Sequence, residues 1–250
     1  MNRWVGVGRS DIGLVRSSNQ DAYVLMDHFG LWAVADGMGG HTGGDIAAQT
    51  AIDSIKTRIE ASVESLQQDS LQDPVAFLSD LLHHAHTAIL ERVHHEPSLK
   101  GMGTTIVVLL IPPHPTPVAY VAHLGDSRAY LFRAGELVAL TRDHTLIEKY
   151  LERGILSPQM ARTHPDRHVL TQALGVSSSI RPSISSYPLH PDDLLLLCSD
   201  GLTKMLDDNR IREICSKSQG DPFSICDSLI AASLDGGGLD NVTVVVVGHV

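Results

Sequence analysis

Thr104-Thr105-Ile106-Val107-Val108-Leu109-Leu110-Ile111 runs apolar after its two threonines, and Val118-Ala119-Tyr120-Val121-Ala122-His123 makes a second such stretch. Prolines at 112, 113, 115 and 117 lie between them. Two strands joined by a proline-rich loop read as one long hairpin. A domain boundary placed there would cut a pair that belongs together. Ala129 to Arg133 and Glu136 to Ala139, joined at Ala134-Gly135, read as a second hairpin. Further short strands rich in Val, Leu and Ala are expected at Leu31 to Ala35, Leu194 to Cys198 and Val242 to Val247.

Helices surround these hairpins. Ile52, Ile55, Ile59, Val63 and Leu66 follow steps of three and four, which puts one apolar stripe on a long helix. Leu78, Leu81, Leu82, Ala85 and Ile89 repeat the pattern. Asp73-Pro74, Ser157-Pro158 and Asp221-Pro222 each set a capping side chain before a proline suited to the first helical position. Thr145 with Glu148 reads as a capping box, and Gly154 closes that short helix. Strands and helices come in blocks and do not alternate, which favours an α+β sandwich of antiparallel sheets over a parallel doubly wound sheet.

Composition narrows the classes. The chain has 250 residues, of which 43% are hydrophobic, enough for a sizeable core and against a disordered chain. Aromatics are only 4%, so that core rests on Val, Ile, Leu and Ala. No apolar run approaches the ~20 residues of a membrane span. Met1 to Ser10 show no basic-then-apolar secretory pattern, so a cytoplasmic location is expected. Lys+Arg 19 against Asp+Glu 29 leaves a net charge of -10, which the 14 histidines offset only in part. That balance gives no footprint for nucleic acid or an anionic membrane, and it suits cations. Cys198, Cys215 and Cys226 lack CxxC spacing and read as reduced, partly buried thiols.

One arrangement recurs. The strand Leu31 to Ala35 runs into Asp36-Gly37, Leu194 to Ser199 runs into Asp200-Gly201, and His123-Leu124-Gly125 leads to Asp126-Ser127. Asp240-Asn241 opens the strand Val242 to Val247. A single Asp-Gly at a strand end is an ordinary turn signal. Carboxylates at several strand ends can converge, and their mutual repulsion is relieved by a hard divalent cation such as Mg²⁺ or Mn²⁺. Between Asp36 and Gly44 there are five glycines in nine residues, which permits close backbone approach to an ion or a phosphate. No Gly-Lys-Ser/Thr follows, so this is not a Walker loop.

Six blocks, in order over nearly the whole chain, resemble the metal-dependent protein phosphatase family, type 2C. They are Ser10 to Asp21, Asp36-Gly37-Met38-Gly39-Gly40, Gly103-Thr104-Thr105, Gly125-Asp126-Ser127-Arg128, Ser199-Asp200-Gly201-Leu202 and Asp240-Asn241-Val242-Thr243. Met38 and His41 are similar to the compact bacterial members made of the catalytic domain alone. The resemblance implies one catalytic domain over 1–250, folded as a four-layer α/β/β/α sandwich with the metals at one edge of the sheets. It implies hydrolysis of phosphoserine and phosphothreonine by in-line attack of a hydroxide bridging two Mg²⁺ or Mn²⁺ ions. Asp36 would bridge the metals, with the Gly37 carbonyl on one and Asp200 and Asp240 on the other. Asp21 would act through metal-bound water, and Asp126 would join Asp200 at a third, weaker site.

By the same resemblance Arg16 would grip the substrate phosphate, a role suited to its planar fork. The leaving alkoxide needs a proton, and His41 is the best-placed candidate where animal relatives carry a histidine at the Met38 position. Gln20 stands where many relatives have Glu, and weaker binding of the second ion is expected from that. Thr141 to Gly175, with His144, His164, Arg167 and His168, resembles the flap beside the active site and is expected to tune substrate choice. His83, His84, His86, His94 and His95 read as a solvated helix face, not a zinc site. The expected partner is a phosphorylated protein, with no nucleic acid or membrane, and a monomer is expected. Two alternatives stay open: a catalytically silent phosphatase-like domain that binds a phosphoprotein, and a nucleotide-binding module built on Gly39 to Gly44.

Overall fold

In a computed structural model, residues 4–39, 43–66, 73–113, 116–162, 164–218 and 220–249 are described. The chain opens with β1 (Trp4–Asp11), β2 (Asp21–Met26) and β3 (Leu31–Met38), then the long helices α1 (Gly44–Leu66) and α2 (Pro74–His95). A strand block follows: β4 (Gly103–Thr104), β5 (Ile106–Leu110), β6 (Val118–Leu124), β7 (Arg128–Arg133) and β8 (Glu136–Ala139). Two short helices, α3 (Leu146–Glu152) and α4 (Pro158–Arg162), precede β9 (Ser183–Pro188) and β10 (Leu194–Cys198). The chain then runs through α5 (Asp200–Thr203), α6 (Asp208–Lys217), α7 (Pro222–Asp235) and β11 (Val242–His249).

The strands form two antiparallel sheets. One is ordered β1-β11-β10-β7-β8; the other is β2-β3-β5-β6-β9, with β4 paired to the end of β3. Side chains alternate across each strand. In β11, Val245 and Val247 point between the sheets, and Val242, Val244 and Val246 point toward α6 and α7. In β5, Val107 and Leu109 face the other sheet, and Ile106, Val108 and Leu110 face α1 and α2. The layers are therefore helix, sheet, sheet, helix, as expected. Unbroken apolar runs usually mark parallel strands. Here the pairing is antiparallel, and the runs arise because helices cover both outer faces.

Local signals hold. Asp73 Oδ1 accepts the N–H groups of Val75 and Ala76 at 3.1 and 2.9 Å, and Asp221 accepts those of Phe223 and Ser224. The Ile111-to-Val118 loop joins a true hairpin, with Ile106 opposite Leu124 and Leu110 opposite Tyr120. The capping box is only half formed. Thr145 Oγ1 accepts the Glu148 N–H at 3.2 Å, whereas the Glu148 carboxylate turns to Arg142 at 2.7 Å. An ion pair with a nearby guanidinium has replaced the weaker reciprocal cap.

Three strands carried no clear sequence signal. β1 is diluted by Gly6 and Gly8, β2 opens on Asp21, and β9 is a serine-rich edge strand ending in Pro188. The histidine row on α2 also divides. His83, His84, His94 and His95 are exposed, whereas His86 is buried and its Nδ1 accepts the Gly175 N–H at 3.0 Å. His86 is thus a packing residue that anchors the end of the 141–175 segment. Cys198, Cys215 and Cys226 are free and buried, and burial raises each thiol pKa. Among the described residues no helix is long and apolar enough to cross a membrane.

Candidate functional site

The antiparallel order brings five strand ends to one edge. Asp21 begins β2 and sits opposite Asp36 near the end of β3. Asp200 follows β10, Asp240 precedes β11, and Asp126 lies in the turn between β6 and β7. Asp36, Asp126, Asp200 and Asp240 line one cavity of about 640 Å³ together with Arg16, Gln20, Gly37 and Met38. Asp21 lies beneath that surface, turned toward Ser199. Every carboxylate named from the sequence is therefore gathered. His41 lies outside the described residues.

Two glycines explain how the strands come so close. A Cβ on Gly37 would collide with the backbone oxygens of Gly44 and Gln20, and one on Gly201 would collide with the Asn241 carbonyl. Only a residue without a side chain lets β3 and the turn after β10 approach at these points.

Neutral side chains hold the acids in place. Ser199 Oγ donates to Asp21 Oδ2 at 2.7 Å and accepts the Thr243 N–H at 2.9 Å. Thr104 Oγ1 and the Thr105 N–H both donate to the Asp36 carbonyl at 2.9 Å. Asn241 Nδ2 donates to the carbonyls of Ile12 and Ser18, and its Oδ1 accepts the Gln20 N–H, all at 2.9 Å. That residue ties the loop carrying Arg16 to the start of β11. The turn bearing Asp126 is clamped by His144, whose N–H donates to the Gly125 carbonyl at 2.8 Å and whose Nδ1 accepts the Gly125 N–H at 3.3 Å. His144 stacks on His123 with centroids 4.4 Å apart, and Arg128 forks onto Asp143 at 2.7 and 2.8 Å.

Crowded acids share an electrostatic problem. Burial, with Asp200 and Asp240 nearby, pushes Asp21 up to about 7. Burial and Asp200 do the same to Asp126, also to about 7. Asp36 is raised well above the usual range by burial and then by Asp21, Asp200 and Asp126. Asp240 goes the other way: burial alone would raise it, but Lys204 and Arg16 outweigh that and hold it low. Asp21 Oδ1 and Asp200 Oδ1 are buried with no hydrogen-bond partner. Buried carboxylate oxygens without a hydrogen-bond partner, among acids whose pKa values burial and like charge raise, are what an all-oxygen divalent-cation site leaves when only protein groups are counted. The residues therefore fit a Mg²⁺ or Mn²⁺ centre. Among the described residues no three His, Cys, Asp or Glu side chains already enclose a single ion.

Cations from the chain itself stand among these acids. Arg16 Nη2 is 2.8 Å from Asp240 Oδ1, so the expected phosphate grip rests on a carboxylate in this state. Lys204 Nζ reaches both Asp200 and Asp240. The signal for Lys204 in the sequence is its place four residues after Asp200 on a helical turn, a pairing distance. Ser199 and Asn241 act as supports that carry no separate signal in the sequence, and His168 of the expected flap lines the cavity.

The match to known proteins is extensive. The profile of the family described as Protein phosphatase 2C matches residues 8–220. The serine/threonine protein phosphatase PstP of Mycobacterium tuberculosis is 36% identical over 239 residues, 95% of this chain and 43% of that protein. This chain thus spans less than half the length of that relative. Protein phosphatase PhpP of Streptococcus pneumoniae is 34% identical over 241 residues, covering 95% of this chain and 94% of PhpP. The solved catalytic domain of PstP in complex with two manganese ions superposes with a TM-score of 0.83 at 34% identity, covering all of both chains. With its fold, its strand-end aspartates and these relatives in agreement, the chain belongs to the protein phosphatase 2C family.

Proposed function

We propose that this protein is a metal-dependent phosphoprotein phosphatase acting on phosphoserine and phosphothreonine, with 1–250 as one catalytic domain. The observation that carries this reading is the convergence of Asp21, Asp36, Asp126, Asp200 and Asp240 on one edge, with two buried carboxylate oxygens left unpartnered. Asp36, the Gly37 carbonyl, Asp200 and Asp240 would hold two divalent ions, Asp21 would act through water, and Asp126 with Asp200 would hold a third. Bound there, Mg²⁺ or Mn²⁺ supplies Lewis acidity toward the phosphoryl oxygens and a nucleophile deprotonated near neutral pH.

The chain's own groups do the rest. Arg16 leaves Asp240 to fork onto two phosphoryl oxygens, aligning the phosphorus for in-line attack. His41 donates the proton that the departing serine or threonine oxygen needs. The 141–175 flap, anchored by Arg128–Asp143 and by His86 to Gly175, walls the cavity through His168 and Leu170 to Ala173, and so selects among substrates. No nucleophilic cysteine takes part, since all three are buried with raised pKa values. Free thiols also support a cytoplasmic location.

The test is phosphate release from a phosphothreonine peptide, with Mn²⁺ and with chelator, for the wild type and Asp240→Ala. Metal-dependent turnover that collapses in the variant is expected. A folded wild type inactive on several phosphopeptides in both metals would transfer the reading to a silent, phosphoprotein-binding domain.

A further inference from the structure

Lys204 closes the short turn α5, and its ammonium lies 2.5 Å from Asp200 Oδ2 and 2.8 Å from Asp240 Oδ2. It takes one oxygen from each of two carboxylates that the proposed function assigns to the metal centre. Arg16 Nη2 lies against both Asp240 oxygens, 2.8 Å from Oδ1 and 2.9 Å from Oδ2, and the Asn241 N–H donates to Oδ1 at 3.0 Å. Only Asp200 Oδ1 of this pair is unpartnered. Among the described residues no three carboxylates enclose an ion while these contacts stand.

We propose that Lys204 is a built-in counter-cation that competes with the divalent metal for Asp200 and Asp240, and so sets the metal concentration at which the site fills. This rests on the metal-centre reading above. The contact is more than an exposed surface pair, because Asp200 and Asp240 are only 15% and 16% exposed. A monovalent ammonium neutralises part of their repulsion and keeps the edge ordered without metal. A divalent ion binds the same oxygens more strongly, but first has to displace two charge-assisted hydrogen bonds.

The displaced side chain has somewhere to go. Lys204 lines the catalytic cavity and also a second cavity of about 810 Å³, bounded by α5 and the flap. Asp143 and Glu148 line that cavity, Asp143 already held by Arg128 and Glu148 by Arg142. A four-carbon stem can swing the ammonium across without moving the backbone. On this proposal the same side chain takes two arrangements, one in the metal-free and one in the metal-bound protein.

The experiment titrates Mn²⁺ into chelator-treated, dialysed protein by calorimetry, for wild type, Lys204→Met and Lys204→Arg, with melting of each metal-free form. Lys204→Met is expected to bind Mn²⁺ roughly tenfold more tightly and to melt lower without metal. Lys204→Arg keeps a competing cation and is expected to stay near wild type. If Lys204→Met does not survive metal removal, Lys204→Gln takes its place with the same expected tightening. Unchanged or weaker Mn²⁺ binding in the uncharged variants, with wild type binding normally, overturns this inference alone. A folded wild type that takes up no Mn²⁺ overturns the metal-centre reading and this inference with it.

Discussion

Ser199, the residue after β10, donates a hydrogen bond from its hydroxyl to Asp21 Oδ2 at 2.7 Å, although Asp21 starts β2 in the opposite sheet. Ser199 Oγ in turn accepts the buried Thr243 N–H at 2.9 Å. One hydroxyl therefore joins the two sheets at the edge where the carboxylates gather, and it fixes the face that Asp21 presents. Ser199→Ala removes both bonds and leaves a buried N–H unsatisfied. A loss of about 1–3 kcal/mol in stability is expected by denaturant unfolding. A higher Mn²⁺ requirement for activity should accompany it; unchanged unfolding and metal dependence would show that Asp21 needs no such support.

Asn241 is the hinge pin of the Arg16 loop. Asn241→Asp keeps an acceptor for the Gln20 N–H but removes both donors to Ile12 and Ser18 and sets a further negative charge beside Asp240. We expect about 2–3 kcal/mol of destabilisation. KM for a phosphopeptide should rise more than kcat falls, because positioning of Arg16 is what suffers. Steady-state kinetics that show an unchanged KM would contradict this.

Metal-free protein should respond to pH in a direction that metal abolishes. Asp21 and Asp126 titrate near 7 in the fold against 3.8 outside it. Their stability contribution is full below 3.8 and is lost as pH rises through about 7. His144 works oppositely: burial and His123 depress it to about 4 from 6.5, so its contribution is lost as pH falls through that window. Above 6.5 His144 adds no slope, and the carboxylates set the trend until the buried thiols, ordinarily at 9.0, come into range. Chelated protein is therefore expected to melt lower at about pH 8 than at about pH 6.5, and saturating Mn²⁺ to remove the fall. Equal slopes with and without metal would contradict it.

Ala134 is the one non-glycine among the described residues with positive φ, at 51°, followed by Gly135 at 83°. A two-residue hairpin turn with both angles positive favours Asn-Gly. Ala134→Asn should therefore stabilise the protein by about 0.5–1 kcal/mol, read as a higher Tm with activity unchanged. A lower Tm would mean that Ala134 makes a contact worth more than its strain.

Much of this molecule is written locally. Proline after Asp73 and Asp221, Ala134-Gly135 and the three- and four-residue steps of α1 and α2 each settle a structure by short-range sterics and hydrogen bonding, and each is found where expected. Asp36 and Asp200 were legible for the same reason, since an apolar run followed by Asp-Gly marks both the strand and its end, whereas Asp21 was visible only through the family resemblance. β1 and β9 were not, since glycine-diluted and serine-rich strands are stabilised by neighbours far away in the chain.

Convergence belongs to the tertiary structure alone. Nothing in the spacing of Asp21, Asp36, Asp126, Asp200 and Asp240 states which sheet edge they share; strand order and antiparallel register do. The same holds for the protonation of Asp21 and Asp126, which burial and like charge impose. It holds for His86, which is buried on a helix face that reads as solvated. Lys204 is the sharpest case: its sequence distance from Asp200 suggests a surface pair, and only the arrival of β11 brings Asp240 to the same ammonium.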